Sequence, residues 1–428
     1  MRMRRDSSLL MLSIMTILMI VESNEVREVS SGKLFREGMK DDVPMVWRGG
    51  GFRIVPSAST WNEEEISRRM KKRIENVDIR MRDRYFTYYD ENMLLSKFVT
   101  RDDAYERRET SREFFRLHTT KRNAETPFVR YGGPLNKFST DLFEKDEPYN
   151  IENIFDSKPS LSLFWGGPGV VSTSHFDYHR NIYVLLFGEK DFLFAHPDDW
   201  TRFKPFPMLH PHARQGQLHF DSDPSVTPRS RVQLKRGDVL YIPPGWIHHV
   251  RSGESGMHIA LSACILTDTH RRMNEWFAQN RKSVAPIPFL KNDWKWNFDN
   301  VLGVLKIFFQ HLQNSSLSIS SYEELLNERF SPQVRHSLGI PNKYDPGRAF
   351  PCPGNLPFDL ESATTEASKK IVELYENIST SWEQREFLKP FLEGILFRLG
   401  GKMLLGLDFI EACILGGDES YRHGSVEL

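Results

Sequence analysis

A histidine and an aspartate two residues apart, His175 and Asp177, are a residue pair suited to holding a metal ion. On an extended strand, residues i and i+2 point to the same face, so an imidazole and a carboxylate would converge there. A histidine from a distant strand would complete a set of two histidines and one carboxylate. Such a set covers one face of an octahedral Fe(II) and leaves the other positions open. Alone, the pair is a weak signal, because single histidines are more often structural.

A second segment supplies candidates for the third ligand. Residues 236–238 read as a turn, Val239–Ile242 as an apolar strand, and 243–245 as a second turn. This turn would deliver His248 to the end of the strand. His249 is the rival ligand, and the pattern alone does not choose between the two histidines.

The motifs around these residues resemble those of the JmjC-type cupin oxygenases that use Fe(II) and 2-oxoglutarate, and most of all the asparaginyl hydroxylases of the factor-inhibiting-HIF type. The motifs are His175-Phe176-Asp177 with Asn181, Gly188-Glu189-Lys190, the segment 237–243, Trp246-Ile247-His248-His249, the segments 205–211 and 214–221, and the segment 85–90 upstream. The resemblance covers residues 40–280, and no recognised motif covers the C-terminal third.

The resemblance implies a fold that is mainly β with helical additions. It predicts a double-stranded β-helix (a cupin or jelly roll of the JmjC type) over residues 40–280 and a helical region over 281–428. It also implies that His175, Asp177 and His248 form the catalytic centre as the Fe(II) ligands, with O2 as a cosubstrate.

Lys190 is the candidate anchor for 2-oxoglutarate. By its residue type alone it reads as a surface turn residue, although a lysine among buried residues usually needs an anion. The resemblance implies that it pairs with the far carboxylate of the cosubstrate. Ser172 and Asn181 match polar positions beside the same cosubstrate in the family.

Arg214 and Gln215 lie in a proline-bounded loop and on their own read as solvated residues. The resemblance implies that they bind a protein or peptide substrate at the rim of the active site, with Tyr88 lining the peptide groove. Ser262 and Cys264 stand where the family type carries an asparagine and a tryptophan, which puts the identity of the substrate in question.

The function implied by the resemblance is a dioxygenase that hydroxylates a protein side chain, with asparagine as the first candidate. A JmjC lysine demethylase, an RNA-base hydroxylase and a catalytically inactive cupin binding module are the alternatives. Lys+Arg and Asp+Glu are balanced at 57 each, so the overall charge does not favour a nucleic-acid partner.

The N-terminus has the layout of a secretory signal peptide. Arg2, Arg4 and Arg5 precede an apolar run over residues 9–21 that is short for a membrane span. We therefore predict a signal peptide or short anchor over residues 1–23 and a location in the secretory pathway, in the lumen of the endoplasmic reticulum. The alternative is the cytoplasm or nucleus, where the resembling hydroxylases act.

Helices are also predicted outside the core, one of them over residues 301–309 after the core. The first is a charged helix over Trp61–Val77 that begins at Ser59 or Thr60. The others are Glu361–Glu376 and Glu383–Leu415, the latter apolar nearly all round and therefore buried. Because members of the family dimerise through C-terminal helices, we expect a homodimer that uses these helices.

Overall fold

The protein is described by a computed structural model. The structure describes residues 26–69, 73–80, 83–91, 105–110, 127–135, 158–208, 210–271, 298–313 and 356–397, together with Met93, Ser96, Val99, Leu142, Phe143, Ile151 and Ile154. The predicted signal peptide over residues 1–23 lies outside the described residues. So does the part of the predicted last helix beyond Phe397.

The chain divides into two compact units, each made of three separate segments. The first unit comprises Met1–Phe86, Asp103–His196 and His219–Ile265. The second comprises Thr87–Asp102, Pro197–Leu218 and Leu266–Leu428.

The described strands form two sheets and belong to the first unit, apart from Leu266 at the end of the last strand. They are β1 (Arg27–Val29), β2 (Met45–Trp47), β3 (Arg73–Arg80), β4 (Tyr85–Phe86), β5 (Tyr105–Thr110), β6 (Phe128–Pro134), β7 (Ser160–Gly166), β8 (Val171–His175), β9 (His179–Phe187), β10 (Glu189–Ala195), β11 (Ser230–Lys235), β12 (Val239–Ile242), β13 (Ile247–Ser252) and β14 (His258–Leu266). One sheet has the order β1-β2-β12-β9-β14-β7-β6-β3-β5, and the other has the order β11-β10-β13-β8-β4. β1 pairs with β2 and β4 pairs with β8 in parallel, whereas pairs such as β12 with β9, β14 with β7 and β10 with β13 are antiparallel.

The two sheets pack as the cupin-like β-sandwich that was predicted. Strand β9 lies in the middle of the larger sheet, and its residues 181–186 are all buried. Its Tyr183 meets Phe192 of the smaller sheet with ring centroids 5.2 Å apart. Tyr183 and Leu185 join apolar side chains of both sheets in this core, whereas Ile182, Val184 and Leu186 on the other face of β9 pack in a second core cluster. Burial on both faces explains why β9 is a continuous apolar run and not an alternating one.

The described part of the chain also contains helices. They are α1 (Gly32–Gly38), α2 (Gly51–Ile54), α3 (Glu63–Arg69), α4 (Phe298–Gln313), α5 (Phe358–Glu376) and α6 (Ser381–Phe397), with 3-10 segments at Met39–Asp41, Pro56–Thr60 and Pro197–Phe203. In the second unit, α4 packs against both α5 and α6. Among the described helices, none has the length and the apolar character needed to cross a membrane.

The predicted helix over Trp61–Val77 was wrong in its second half. Helix α3 ends at Arg69, and strand β3 begins at Arg73. The cap also differs from the prediction, because the side-chain oxygen of Asn62 accepts a hydrogen bond from the Glu65 amide at 2.8 Å. In β3, Val77 and Ile79 are buried, and Asp78 between them is half-buried, which is the period of a strand.

Candidate metal centre

Two neighbouring strands and the link that follows one of them hold the three predicted ligands. Strand β8 ends at His175, which lies opposite His248 of β13 in antiparallel register. Asp177 lies two residues beyond the end of β8, so it is held by this link and not by strand alternation. Its carbonyl accepts a hydrogen bond from the Gly245 amide at 2.8 Å, which ties the link to the turn preceding His248.

The side chains of His175, Asp177 and His248 converge. Their ligand atoms all lie within 4.8 Å of one another, and Nε2 of His248 is 3.8 Å from an Asp177 carboxylate oxygen. The ring centroids of the two histidines are 4.1 Å apart. Within the part of the chain that the structure describes, this is the one cluster of three or more residues suited to holding a metal ion.

Backbone carbonyls orient both imidazoles. Nδ1 of His175 lies 2.6 Å from the Thr173 carbonyl, and Nδ1 of His248 lies 3.0 Å from the Trp246 carbonyl. A carbonyl oxygen can only accept, so Nδ1 carries the proton and Nε2 keeps its lone pair for a metal. Two imidazole nitrogens and one carboxylate oxygen are the donor set of a facial Fe(II) site, so these residues fit that metal.

His249, the rival ligand, points elsewhere. It is fully buried, and its Nδ1 lies 3.3 Å from the Ser174 hydroxyl. Its Nε2 lies 3.2 Å from an Asp221 carboxylate oxygen. Because neighbouring residues of a strand face opposite sides, the turn that aims His248 at the cluster aims His249 away from it.

Lys190 is buried rather than exposed in a turn. Its ammonium donates a hydrogen bond to the Ser252 hydroxyl at 3.0 Å, and within the described residues it pairs with no carboxylate. Burial first, and the charge of Arg130 second, lower the pKa of Lys190 to about 7. A buried ammonium without a counter-ion is suited to an anionic ligand, as the far carboxylate of 2-oxoglutarate would be.

The other predicted cosubstrate residues also lie in the first unit. Ser172 is on β8, with its hydroxyl 3.5 Å from a guanidinium nitrogen of Arg130. Asn181 is buried on β9, and its side-chain oxygen accepts a hydrogen bond from Ser262 at 2.8 Å. Ser262, one of the departures from the family pattern, thus holds Asn181 in place. Ser262 also contacts the sulfur of Cys264, at 3.3 Å.

Sequence reasoning missed Arg130 on β6 and His258 on β14, which lie around Lys190. Burial first, and then the charge of Lys190, lower the pKa of His258 well below its ordinary value. Its Nδ1 is buried and has no hydrogen-bond partner within the described residues. Neither residue belongs to a motif, and only strand register could have brought them to attention.

The three predicted substrate-binding residues come together in the second unit. The Gln215 amide holds the backbone of Tyr88 at both ends, accepting from its N–H at 2.8 Å and donating to its carbonyl at 2.5 Å. The Arg214 guanidinium lies 5.7 Å from the centroid of the Tyr88 ring, which is half exposed. Gln215 therefore fixes the backbone of Tyr88 from both sides of that residue.

A family model described as "Cupin-like domain" matches residues 31–282, more than half of the chain. The chain therefore belongs to the cupin-like domain family. This match agrees with the two-sheet sandwich and with the histidine–aspartate–histidine cluster that its strands hold.

Several curated proteins are similar to short parts of the chain. "Jumonji C domain-containing protein 5" of Drosophila melanogaster is 38% identical over 95 residues, covering 21% of this chain and 24% of that protein. The human "Bifunctional peptidase and (3S)-lysyl hydroxylase JMJD7" is 27% identical over 138 residues, covering 26% and 43%. The "Lysine-specific demethylase JMJ32" of Arabidopsis thaliana is 25% identical over 146 residues, covering 25% and 41%. The chain thus spans less than half the length of these relatives, which are distant JmjC-domain proteins.

Proposed function

We propose that this protein is an Fe(II)- and 2-oxoglutarate-dependent dioxygenase that hydroxylates a protein side chain. The observation that carries the proposal is the cluster of His175, Asp177 and His248, in which both imidazoles present Nε2 to one point. Buried Lys190, which pairs with no carboxylate in the described residues, supports a dicarboxylate cosubstrate. The lysyl hydroxylase named among the relatives supports a protein substrate.

Each residue then has a physical task. His175, Asp177 and His248 would hold Fe(II) and leave positions open, while the Thr173 and Trp246 carbonyls fix the imidazole orientation. Fe(II) with 2-oxoglutarate supplies the oxygen activation and the oxidising power for attack on a C–H bond. Lys190 would bind the far carboxylate by a charge-assisted hydrogen bond and so orient the cosubstrate. The protein contributes positioning and the exclusion of water.

The residue that is modified is the finer part of the proposal. An asparagine side chain is our first candidate, on the resemblance of the motifs described above. Tyr88, half exposed beside Arg214, offers a surface for a peptide in the second unit. Removal of a methyl group from lysine is the second candidate, because one of the relatives is named as a lysine-specific demethylase.

The test uses the full chain with Fe(II), 2-oxoglutarate and 18O2, and peptide pools that contain asparagine, lysine or N-methyl-lysine. Mass spectrometry of the peptides is the readout, and Asp177→Ala is the control. Gain of one labelled oxygen on a side chain, absent with Asp177→Ala, would support hydroxylation. Loss of a methyl group with release of formaldehyde would replace hydroxylation by demethylation. An unmodified pool accompanied by no succinate release would overturn the proposed activity.

A further inference from the structure

Four residues of the larger sheet form a row across adjacent strands. Asp78 of β3 lies opposite Arg130 of β6, Arg130 lies opposite Gly166 of β7, and Gly166 lies opposite His258 of β14. Residues directly opposite each other in neighbouring strands share one face of a sheet. The register therefore places the side chains of Asp78, Arg130 and His258 on one face of the sheet. Gly166, which has no side chain, lies between Arg130 and His258.

The absence of a side chain at Gly166 is required by the His258 imidazole next to it. A Cβ atom at this position would lie 2.5 Å from Cε1 and 2.8 Å from Nε2 of His258. It would also lie 3.1 Å from the Val129 carbonyl oxygen. Only glycine leaves room for the His258 ring beside Arg130.

Arg130 reaches from this row to the smaller sheet. Its guanidinium donates to Asp78 at 3.1 Å and lies 3.5 Å from the Ser172 hydroxyl of β8. It also lies over the Phe86 ring, 5.0 Å from the centroid. Its charge acts on both Lys190 and His258, whose pKa values it helps to lower. The guanidinium, the ammonium and the imidazole thus face a common region between the sheets.

The charges of this region do not balance. Lys190 and Arg130 are two cations, Asp78 is one anion, and burial keeps His258 neutral. Among these described groups, one positive charge therefore remains whenever Lys190, with its pKa of about 7, is protonated, and an uncompensated buried charge is unfavourable. An anion carrying one negative charge, such as a single carboxylate group, would compensate it.

We infer that Arg130 is a second anchor for the far carboxylate of 2-oxoglutarate, beside Lys190 and in contact with Ser172. The inference rests on the proposed function. The two cations offer different chemistry to the carboxylate. Lysine presents a compact point charge, whereas arginine presents a planar fork that matches two carboxylate oxygens. Asp78, which pairs with the same guanidinium, holds the fork in orientation.

The test measures binding, in the absence of oxygen, of 2-oxoglutarate to the full chain loaded with Mn(II). We expect Arg130→Gln to weaken the affinity roughly tenfold to a hundredfold, which is the range for the loss of one charge-assisted hydrogen bond. Arg80→Gln is the matched control, because Arg80 also pairs with an aspartate and lies over the Phe86 ring, 5.4 Å from its centroid. The affinity of Arg80→Gln for 2-oxoglutarate should stay within about twofold of that of the wild-type protein.

Binding of a second ligand distinguishes the loss of a contact between Arg130 and the far carboxylate from a general loss of structure. 2-Oxopentanoate has the same chain length and the same chelating end but lacks the far carboxylate. Arg130→Gln should leave the affinity for it unchanged. Equal weakening for both ligands, or an unchanged affinity for 2-oxoglutarate, would overturn the role of Arg130 while leaving the proposed function in place. If the wild-type protein binds Mn(II) but not 2-oxoglutarate, both the proposed function and this inference are wrong.

Discussion

His248 and His249 are neighbours in the chain with opposite tasks. Nε2 of His248 joins the metal cluster, whereas both nitrogens of His249 face protein groups, Ser174 and Asp221. The residues of the motif predicted that one of the pair is a ligand, but not which one. The choice depends on the register of β13 against β8, with its bulge between His248 and Val250, and such a register is not visible in a single sequence.

The pair allows a direct comparison of two variants. His248→Gln should abolish tight binding of Mn(II), because one of three ligands is lost. His249→Gln should retain metal binding but lower the free energy of unfolding by about 1–3 kcal/mol, since buried polar partners lose a hydrogen bond. Calorimetric metal titration and denaturant unfolding measure the two effects. Loss of the metal from His249→Gln, with its fold intact, would contradict the assignment.

Lys190 predicts a pH dependence of cosubstrate binding. The pKa of the buried ammonium is about 7, lowered by burial first and by Arg130 second. A bound carboxylate would raise this pKa, so binding takes up a proton wherever the free lysine is neutral. Arg130 stays charged and His258 stays neutral over this pH range, so neither residue adds to the pH dependence of the affinity. The affinity for 2-oxoglutarate should therefore be constant in mild acid and fall by up to about tenfold per pH unit above about pH 7.

Calorimetry over this pH range, in two buffers with different ionisation enthalpies, measures both the affinity and the proton uptake. Lys190→Arg provides the control, because arginine does not titrate in this pH range. The affinity of this variant for 2-oxoglutarate should therefore not fall above pH 7. An affinity of the original protein that stays constant into mild alkali, with no proton taken up, would contradict a lysine anchor with a lowered pKa.

At the scale of the elements, the turn between β9 and β10 determines where the strand that carries Lys190 begins. Gly188 has φ +81°, and a Cβ there would lie 2.5 Å from the Met257 carbonyl oxygen. Gly49 has a similar φ of +66°, but a Cβ there would have no heavy atom within 4 Å. The two glycines therefore separate backbone strain from a steric clash.

Gly49→Ala should lower the free energy of unfolding by about 1–2 kcal/mol through backbone strain alone. Gly188→Ala should cost more, and it should also weaken 2-oxoglutarate binding, because relief of the clash shifts the hairpin that carries Lys190. Denaturant unfolding and anaerobic binding titration of both variants test this. Equal losses of stability, with binding unchanged, would show that the turn does not control the position of Lys190.

The sequence pattern predicted a strand beside the site and also the distant helix over Glu361–Glu376, which is α5. The strand predicted over Val239–Ile242 is confirmed as β12. In contrast, β3 was predicted as part of a helix, because the charges between Arg68 and Arg73 conceal where the helical period ends. Arg130 was missed for a different reason, because Gly166 and His258, which lie beside it in the sheet, are far away in sequence.

At the scale of the whole molecule, the resemblance predicted the cupin-like sandwich, and the family match confirms it. The metal ligands, Lys190 and Arg130 belong to the first unit, whereas Tyr88, Arg214 and Gln215 belong to the second. The homodimer through the C-terminal helices, the signal peptide and the location in the endoplasmic reticulum stay predictions. They depend on partners, on cellular machinery or on segments outside the described residues.

The most direct test of the central claim is anaerobic binding of Fe(II) and 2-oxoglutarate to the full chain, followed by measurement of succinate after oxygen is admitted. We expect the original protein to bind both and to release succinate, and His175→Ala to lose metal binding and succinate release together. Binding of metal by His175→Ala with undiminished succinate release would contradict the assigned centre. Failure of the original protein to bind 2-oxoglutarate would contradict the oxygenase account and favour a cupin that binds partners without turnover.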